Sequence, residues 1–241
     1  MIEHTVKSYE AELTQLDQKL SQMGGLVEQL LGNAFASLER RDPRLASEAI
    51  ASDRTVDILQ KEIEELAISM IARRQPMAQD LRMIVSTLKV AGDLERIGDL
   101  AKNVAKRALA IASETRPQSL ILGLRHMTEL AMARLKNVLD AYMTRDDEKA
   151  LAVWRSDTDI DALYNSIFRE LLTYMMEDPR NIGLCTHLLF GAKNIERIGD
   201  HATNIAETVH YMVSGKPLMD DRPKGDKTSV TMIDKDPGER N

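Results

Sequence analysis

Apolar residues recur every three or four positions along most of this chain, as in Val56, Leu59, Ile63, Leu66 and Met70, or Ile160, Leu163, Ile167 and Leu171. That period is the 3.6-residue turn of an α-helix, not the alternation of a strand. The pattern breaks at proline. Pro43, Pro76, Pro117, Pro179 and Pro217 mark helix boundaries, and Asp42-Pro43 and Asp178-Pro179 pair an N-cap acceptor with proline at the first helical position, where its missing N–H costs nothing. The charged cluster Arg145-Asp146-Asp147-Glu148 supplies the remaining break. Six long helices are predicted, over residues 5–41, 44–73, 77–115, 118–145, 147–178 and 180–214, with a kink expected at Gly24-Gly25 in the first. From about residue 218 apolar residues are too few to pack, which predicts a frayed tail over 218–241.

An internal repeat organises these helices. The block Leu94-Glu95-Arg96-Ile97-Gly98-Asp99-Leu100-Ala101-Lys102-Asn103-Val104-Ala105 returns as Ile195-Glu196-Arg197-Ile198-Gly199-Asp200-His201-Ala202-Thr203-Asn204-Ile205-Ala206, identical at eight of twelve positions and offset by 101. Upstream, Arg41-Asp42 matches Arg145-Asp146, Ser52-Asp53 matches Ser156-Asp157 and Asp57 matches Asp161, all offset by 104. The predicted architecture is all-α: two tandem, pseudo-repeated three-helix bundles over residues 1–116 and 117–217.

Composition agrees with helix. Aromatic residues are 4% and Gly and Pro together number 19 of 241, while 43% hydrophobic content suffices for a core. With 32 Lys and Arg against 38 Asp and Glu, the net charge of −6 excludes a general polyanion binder, so no nucleic-acid partner is expected. The N-terminal Met1-Ile2-Glu3-His4 is acidic and no apolar segment follows it; the longest apolar runs, such as residues 67–72, fall far short of the ~18–20 residues of a membrane span. The lone Cys185 cannot form an internal disulfide. These features point to the cytoplasm, with membranes reached only through partners.

The repeated block carries the candidate chemistry. Glu95, Asp99 and Asn103, and again Glu196, Asp200 and Asn204, stand at i, i+4 and i+8 and so form one stripe on a helix, opposite Leu94, Ile97, Ala101 and Val104. Asp53 and Asp57 form a similar pair on the preceding helix, as do Asp157 and Asp161. Folding each unit as an antiparallel hairpin brings these levels together, so each half gathers four carboxylates and an amide on a patch of its outer surface. Like charges at i, i+4 destabilise a helix by ~0.2–0.5 kcal/mol per pair, and a cation is one way to compensate. An all-oxygen set suits Mg²⁺, Mn²⁺, Ca²⁺ or ferric iron, with zinc also compatible. Against this stands a solvated acidic face, neutralised locally by Arg96 and Arg197. Gly98 and Gly199, mid-helix, are read as permitting close helix approach.

Other constellations are absent. There is no ferritin-like di-iron set of two Glu-x-x-His motifs, no His-Glu-x-x-His, no phosphate-binding glycine loop and no Gly-x-Ser-x-Gly. The histidines His4, His126, His187, His201 and His210 are scattered and read as surface or packing residues, with His201 flagged because it adjoins Asp200. Cys185 and most methionines, Met175-Met176 among them, are assigned to the core. Arg73-Arg74-Gln75-Pro76 with Asp80-Leu81-Arg82 makes a charged corner whose arginines either cap helices or dock a partner.

The paired Glu-Arg-Ile-Gly-Asp blocks at 95–99 and 196–200, the corner Ala72-Arg73-Arg74-Gln75-Pro76 with Asp80-Leu81-Arg82, and Thr173-Tyr174-Met175-Met176-Glu177-Asp178 resemble the PhoU family of bacterial phosphate-signalling accessory proteins, over about residues 5–214. The resemblance implies a non-enzymatic, often dimeric negative regulator of phosphate uptake and of the starvation response. Such a protein links the nucleotide-binding subunit of the phosphate ABC transporter to a membrane sensor histidine kinase. It also implies metal ions at the Glu/Asp-x-x-x-Asp motifs. By position these nominate Glu95, Asp99, Glu196 and Asp200, with Asp57 and Asp161 facing them and Asp53, Asp157, Asn103 and Asn204 as weaker ligands; iron, zinc, manganese and magnesium all remain open. Arg73, Arg74 and Arg82 are the partner-docking candidates. A multinuclear metal-dependent phosphohydrolase using the same carboxylates is the alternative function.

Overall fold

A computed structural model of the protein describes residues 2–115, 118–156 and 158–218. They are helix and turn, with no strand among them, as the periodicity predicts. The helices are α1 (Ile2–Arg40), α2 (Pro43–Arg74), α3 (Gln79–Ala110), α4 (Gln118–Thr144), α5 (Asp147–Arg155), α6 (Thr158–Glu177) and α7 (Ile182–Ser214), the last preceded by a 3₁₀ turn at Pro179–Asn181. The Asp-Pro signals act as expected. Asp42 accepts a 2.9 Å hydrogen bond from the Arg44 N–H and Pro43 opens α2. Asp178 likewise accepts from the Arg180 N–H at 3.0 Å, but Pro179 opens only the 3₁₀ turn and α7 begins at Ile182. Of the predicted tail, residues 219–241 lie outside the described residues.

α1 is one continuous helix through Gly24-Gly25, and a Cβ on Gly24 would lie 2.9 Å from Leu139 Cδ1, so this glycine lets α4 approach closely. One expectation is corrected. The single helix expected over 147–178 is two, α5 and α6. Ser156 closes α5: its N–H reaches the Val153 carbonyl at 3.2 Å and its hydroxyl donates to the same oxygen at 2.8 Å. The buried Arg134 guanidinium of α4 also donates to the Ser156 carbonyl, which accepts from the Asp159 N–H at 3.4 Å as well. In the first half Ser52 sits inside an uninterrupted α2, and Leu30 stands where Arg134 stands in the second.

α1 packs on α2, α3 and α4, and α7 packs on α3, α4, α5 and α6. The two halves meet with counterpart helices antiparallel. Along α3 and α7, Lys89 lies over Tyr211, Asp93 meets His201, and Arg107 lies over Phe190. Along α1 and α4, Asp17 meets Arg145 and Glu39 meets Arg125. An approximate two-fold axis therefore runs between the repeats, and it sets the middle of α3 level with the middle of α7.

One core runs through both halves, from Leu20, Leu31, Ile63 and Ile97 to Leu124, Leu135, Ile167 and Ile195. Each such side chain contributes about 1.5–3 kcal/mol by leaving water. Cys185 is buried in it, as expected. The methionines divide: Met23, Met70, Met127 and Met212 are core, but Met176, expected there, is 84% exposed, and Met77 on the first hairpin tip is 80% exposed. Tyr142 of α4 ties three helices together, its hydroxyl donating to Asp17 Oδ1 at 2.9 Å and lying 2.6 Å from Thr87 Oγ1. Burial, reinforced by the Asp17 charge, pushes its phenol up to about 12.

Candidate functional site

In the first half the acids come from α2 and α3. Asp53, almost fully buried, and Asp99 both reach the ammonium of Lys102, whose Nζ lies 2.5 Å from Asp53 Oδ2 and 2.5 Å from Asp99 Oδ1. One cationic group thus bridges carboxylates on two helices. Burial works against the charge on Lys102, yet the hydrogen bonds to both acids raise its pKa overall. Glu95 lies one turn earlier. Burial first, then repulsion by Asp99, with Asp57 and Asp53 adding to it, raises its carboxyl above the usual range. Its neighbour Arg96 approaches to 3.6 Å but is 64% exposed, and such surface pairs contribute little.

In the second half Glu196 is 4% exposed. Its Oε1 accepts from Lys193 at 2.9 Å, while its Oε2 is buried with no hydrogen-bond partner. Burial dominates the rise in its pKa, and Asp200 and Asp161 add to it against the opposing pull of Lys193. Asp161 is 5% exposed and Asp200 half-buried. Lys193 also lies 4.8 Å from the Tyr164 ring centroid. Asp157 lies outside the described residues. Asn103 and Asn204, half-buried, continue each stripe beyond Asp99 and Asp200.

Three of the acids do not lie on an outer surface, as the helical projection suggested, while Asp57, Glu95, Asp99 and Asp200 are half-buried. Asp53, Asp161 and Glu196 are buried. Projection of one helix cannot see the neighbour that covers it, and here α2 closes over α3 and α6 over α7. The three corner arginines are spread in their roles. Arg74 makes hydrogen bonds of 3.0 and 2.9 Å to Glu12, Arg73 approaches the same carboxylate at 3.3 Å while 57% exposed, and Arg82 buries its Nε without a hydrogen-bond partner. His201 turns away from Asp200 to Asp93 of α3, Nδ1 to Oδ1 2.9 Å. Three charged residues around the acids escaped the sequence reading, among them Lys193 at i−3 from Glu196. Lys102 sits inside the repeated block at i+3 from Asp99, a spacing that allows the contact, whereas Arg134 gives no local signal.

A hard cation fits these residues. The donors are carboxylates, with amide oxygens on the same stripes, and a buried carboxylate oxygen lacking any hydrogen-bond donor is a group that a cation would satisfy. The Lys102 bridge demonstrates that two carboxylates in the first half can share one positive centre. Among the described residues, no three His, Cys, Asp or Glu side chains are already grouped as a metal site.

Two segments, residues 20–108 and 124–209, match the PhoU domain model. The chain belongs to the PhoU family. A PhoU homologue from Rhizobium meliloti, named a phosphate-specific transport system accessory protein, is 53% identical over 227 residues, 94% of this chain and 96% of the relative. The crystal structure of PhoU from Pseudomonas aeruginosa superposes with a TM-score of 0.84 at 39% identity, covering 86% of this chain and all of that one. That of the phosphate transport system regulatory protein PhoU from Streptococcus pneumoniae gives 0.80 at 27% identity, over 87% and 99% of the two chains. The two matched segments carry the two acid clusters, and among the described residues of this PhoU-family chain no helix is long and apolar enough to cross a membrane.

Proposed function

We propose that this protein is a metal-binding, non-enzymatic adaptor that restrains phosphate uptake and represses the phosphate-starvation response from the cytoplasmic face of the membrane. Its partners would be the nucleotide-binding subunit of a phosphate ABC transporter and a sensor histidine kinase, and the working form a homodimer. Relatives sharing about half of its residues are named phosphate-specific transport system accessory proteins, which supports the regulatory role. The observation that carries the metal is the buried Glu196 Oε2, without a hydrogen-bond donor in the field of Asp161 and Asp200. Glu95, Asp99, Asp57 and Asp53 would hold an ion in the first half, and Glu196, Asp200 and Asp161, with Asp157, in the second. A bound divalent or ferric ion would supply positive charge that offsets the repulsion and draws each pair of helices together. The hairpin tip, with Arg73 and Met77 exposed beside Arg74, offers a mixed basic and apolar contact for a partner.

Deletion of the gene, followed by assay of a starvation-induced phosphatase in high phosphate, tests this function. Derepression is expected, restored by the intact gene and poorly by Glu95→Ala/Asp99→Ala/Glu196→Ala/Asp200→Ala. Continued repression in the deletion strain would refute it.

A further inference from the structure

The repeats keep their acids but not the ammonium that bridges them. At the position of Lys102 the second half has Thr203, fully buried, its hydroxyl donating to the Gly199 carbonyl at 3.2 Å. The helix can therefore be built at this level without an ammonium. In the first half that ammonium lies 2.5 Å from one oxygen of each acid. Hard cations bind carboxylate oxygens at ~2.0–2.6 Å, so a metal bridging Asp53 and Asp99 would occupy nearly the same point as Nζ. Two cations cannot share it.

We propose that Lys102 is a built-in competitor that gates the first carboxylate site: a metal enters only when the ammonium swings out, so the two halves do not fill together. This rests on the metal reading above and adds to it a reason for the repeats to differ. The residue suits the task. Its side chain is 21% exposed, so its head can reach water, and its four-carbon stem is flexible. Asp53, 8% exposed at its side chain, would otherwise stay charged and buried when no metal is present. The gate thus protects the empty fold while lowering apparent affinity by the fraction of time the site is closed.

The full-length protein carrying Glu196→Ala/Asp200→Ala, which silences the second half, isolates the first, and Mn²⁺ alone is the probe in calorimetric titration. Adding Lys102→Met should tighten Mn²⁺ binding at least tenfold while lowering the melting temperature of the metal-free protein. Lys102→Arg should leave the affinity within about threefold, because the guanidinium keeps the competing charge. Lys102→Gln, which retains a polar head, serves if the methionine variant does not fold, with the same direction expected. Saturating Mn²⁺ should also speed reaction of Lys102 with an amine-directed label, read by mass spectrometry. Unchanged or weaker binding in the neutral variants, with Mn²⁺ bound by all, overturns the gate and leaves the metal reading standing. No Mn²⁺ binding by any of these proteins or by the wild type overturns the metal reading, and the gate with it.

Discussion

Gly98 and Gly199 occupy the same place in the two repeats, yet alanine should stabilise the protein at the first and not at the second. A Cβ on Gly98 would lie 3.4 Å from Val56 Cγ1 and 3.5 Å from Asp53 Oδ1, ordinary van der Waals distances. Alanine there adds no clash and removes the helix penalty of glycine, about 1 kcal/mol. A Cβ on Gly199 would lie 2.8 Å from Ile160 Cδ1 and 3.6 Å from Arg134 Nη1. Ile160 is 1% exposed and β-branched, so it must leave its rotamer inside a packed core. Overpacking of this kind costs ~1–3 kcal/mol, which cancels or exceeds the same helix gain. The two variants should differ by ~1–3 kcal/mol, or about 3–9 °C in melting temperature at ~3 °C per kcal/mol for a chain of this size. Thermal unfolding of metal-free Gly98→Ala and Gly199→Ala, followed by circular dichroism, reads this directly. Equal shifts of the same sign would refute the claim that α6 approaches α7 more closely than α2 approaches α3.

Other outcomes follow from the site. Mn²⁺ at a hundred times its dissociation constant should stabilise the protein by about 2.7 kcal/mol per site, and the quadruple variant Glu95→Ala/Asp99→Ala/Glu196→Ala/Asp200→Ala should melt alike with and without it. Glu95 and Glu196 have carboxyls raised above the ordinary 4.5, so the folded form binds protons more tightly than the unfolded one. Their contribution is fully present below pH 4.5 and is lost as pH rises through the raised values; Glu95→Gln/Glu196→Gln should flatten that part of the metal-free stability profile. Arg134→Leu, restoring the residue of the first repeat, should destabilise by ~1.5–3 kcal/mol through loss of a buried charged hydrogen bond, measured by urea denaturation. Metal-loaded protein should release no phosphate from p-nitrophenyl phosphate above background; turnover lost in Asp99→Ala and Asp200→Ala would revive the hydrolase alternative.

Local rules carried the helices and their order, because a 3.6-residue period and Asp-Pro caps are written in neighbouring residues. The break at Ser156 was not legible for the opposite reason. Arg134, whose guanidinium meets the Ser156 carbonyl there, lies 22 residues upstream on another helix, and the apolar pattern continues through Ile160 as if nothing intervened. The role of Gly24 was hidden for the same reason: the close approach it permits is set by Leu139, on another helix. The acids were legible as residues, but the burial of Asp53, Asp161 and Glu196 was not. Periodicity tells which side of α3 is apolar but not that α2 lies over the other side and buries Asp53.

The internal comparison also bears on what the acids are for. Glu95 and Glu196, Asp99 and Asp200, Asp57 and Asp161 are held in common between the repeats, as are the exposed Arg96 and Arg197, while the ammonium groups that reach the buried acids are private: Lys102 faces Thr203 and Lys193 faces Gly92. Acids serving only to solvate a helix would not need burial, yet Asp53, Asp161 and Glu196 are buried. Acids serving only as internal ion pairs would be expected to keep their buried partners in register, and Lys102 and Lys193 are not in register. Carboxylates retained in position with changeable resident cations are what a site for an exchangeable cation requires. On the proposed metal reading, the two sets of resident charges would let the two sites respond at different cation concentrations. Exchanging the private residues tests that step: Lys102→Thr should move the first site toward the affinity of the second, and an affinity gap that survives the exchange would place its origin elsewhere in the repeats.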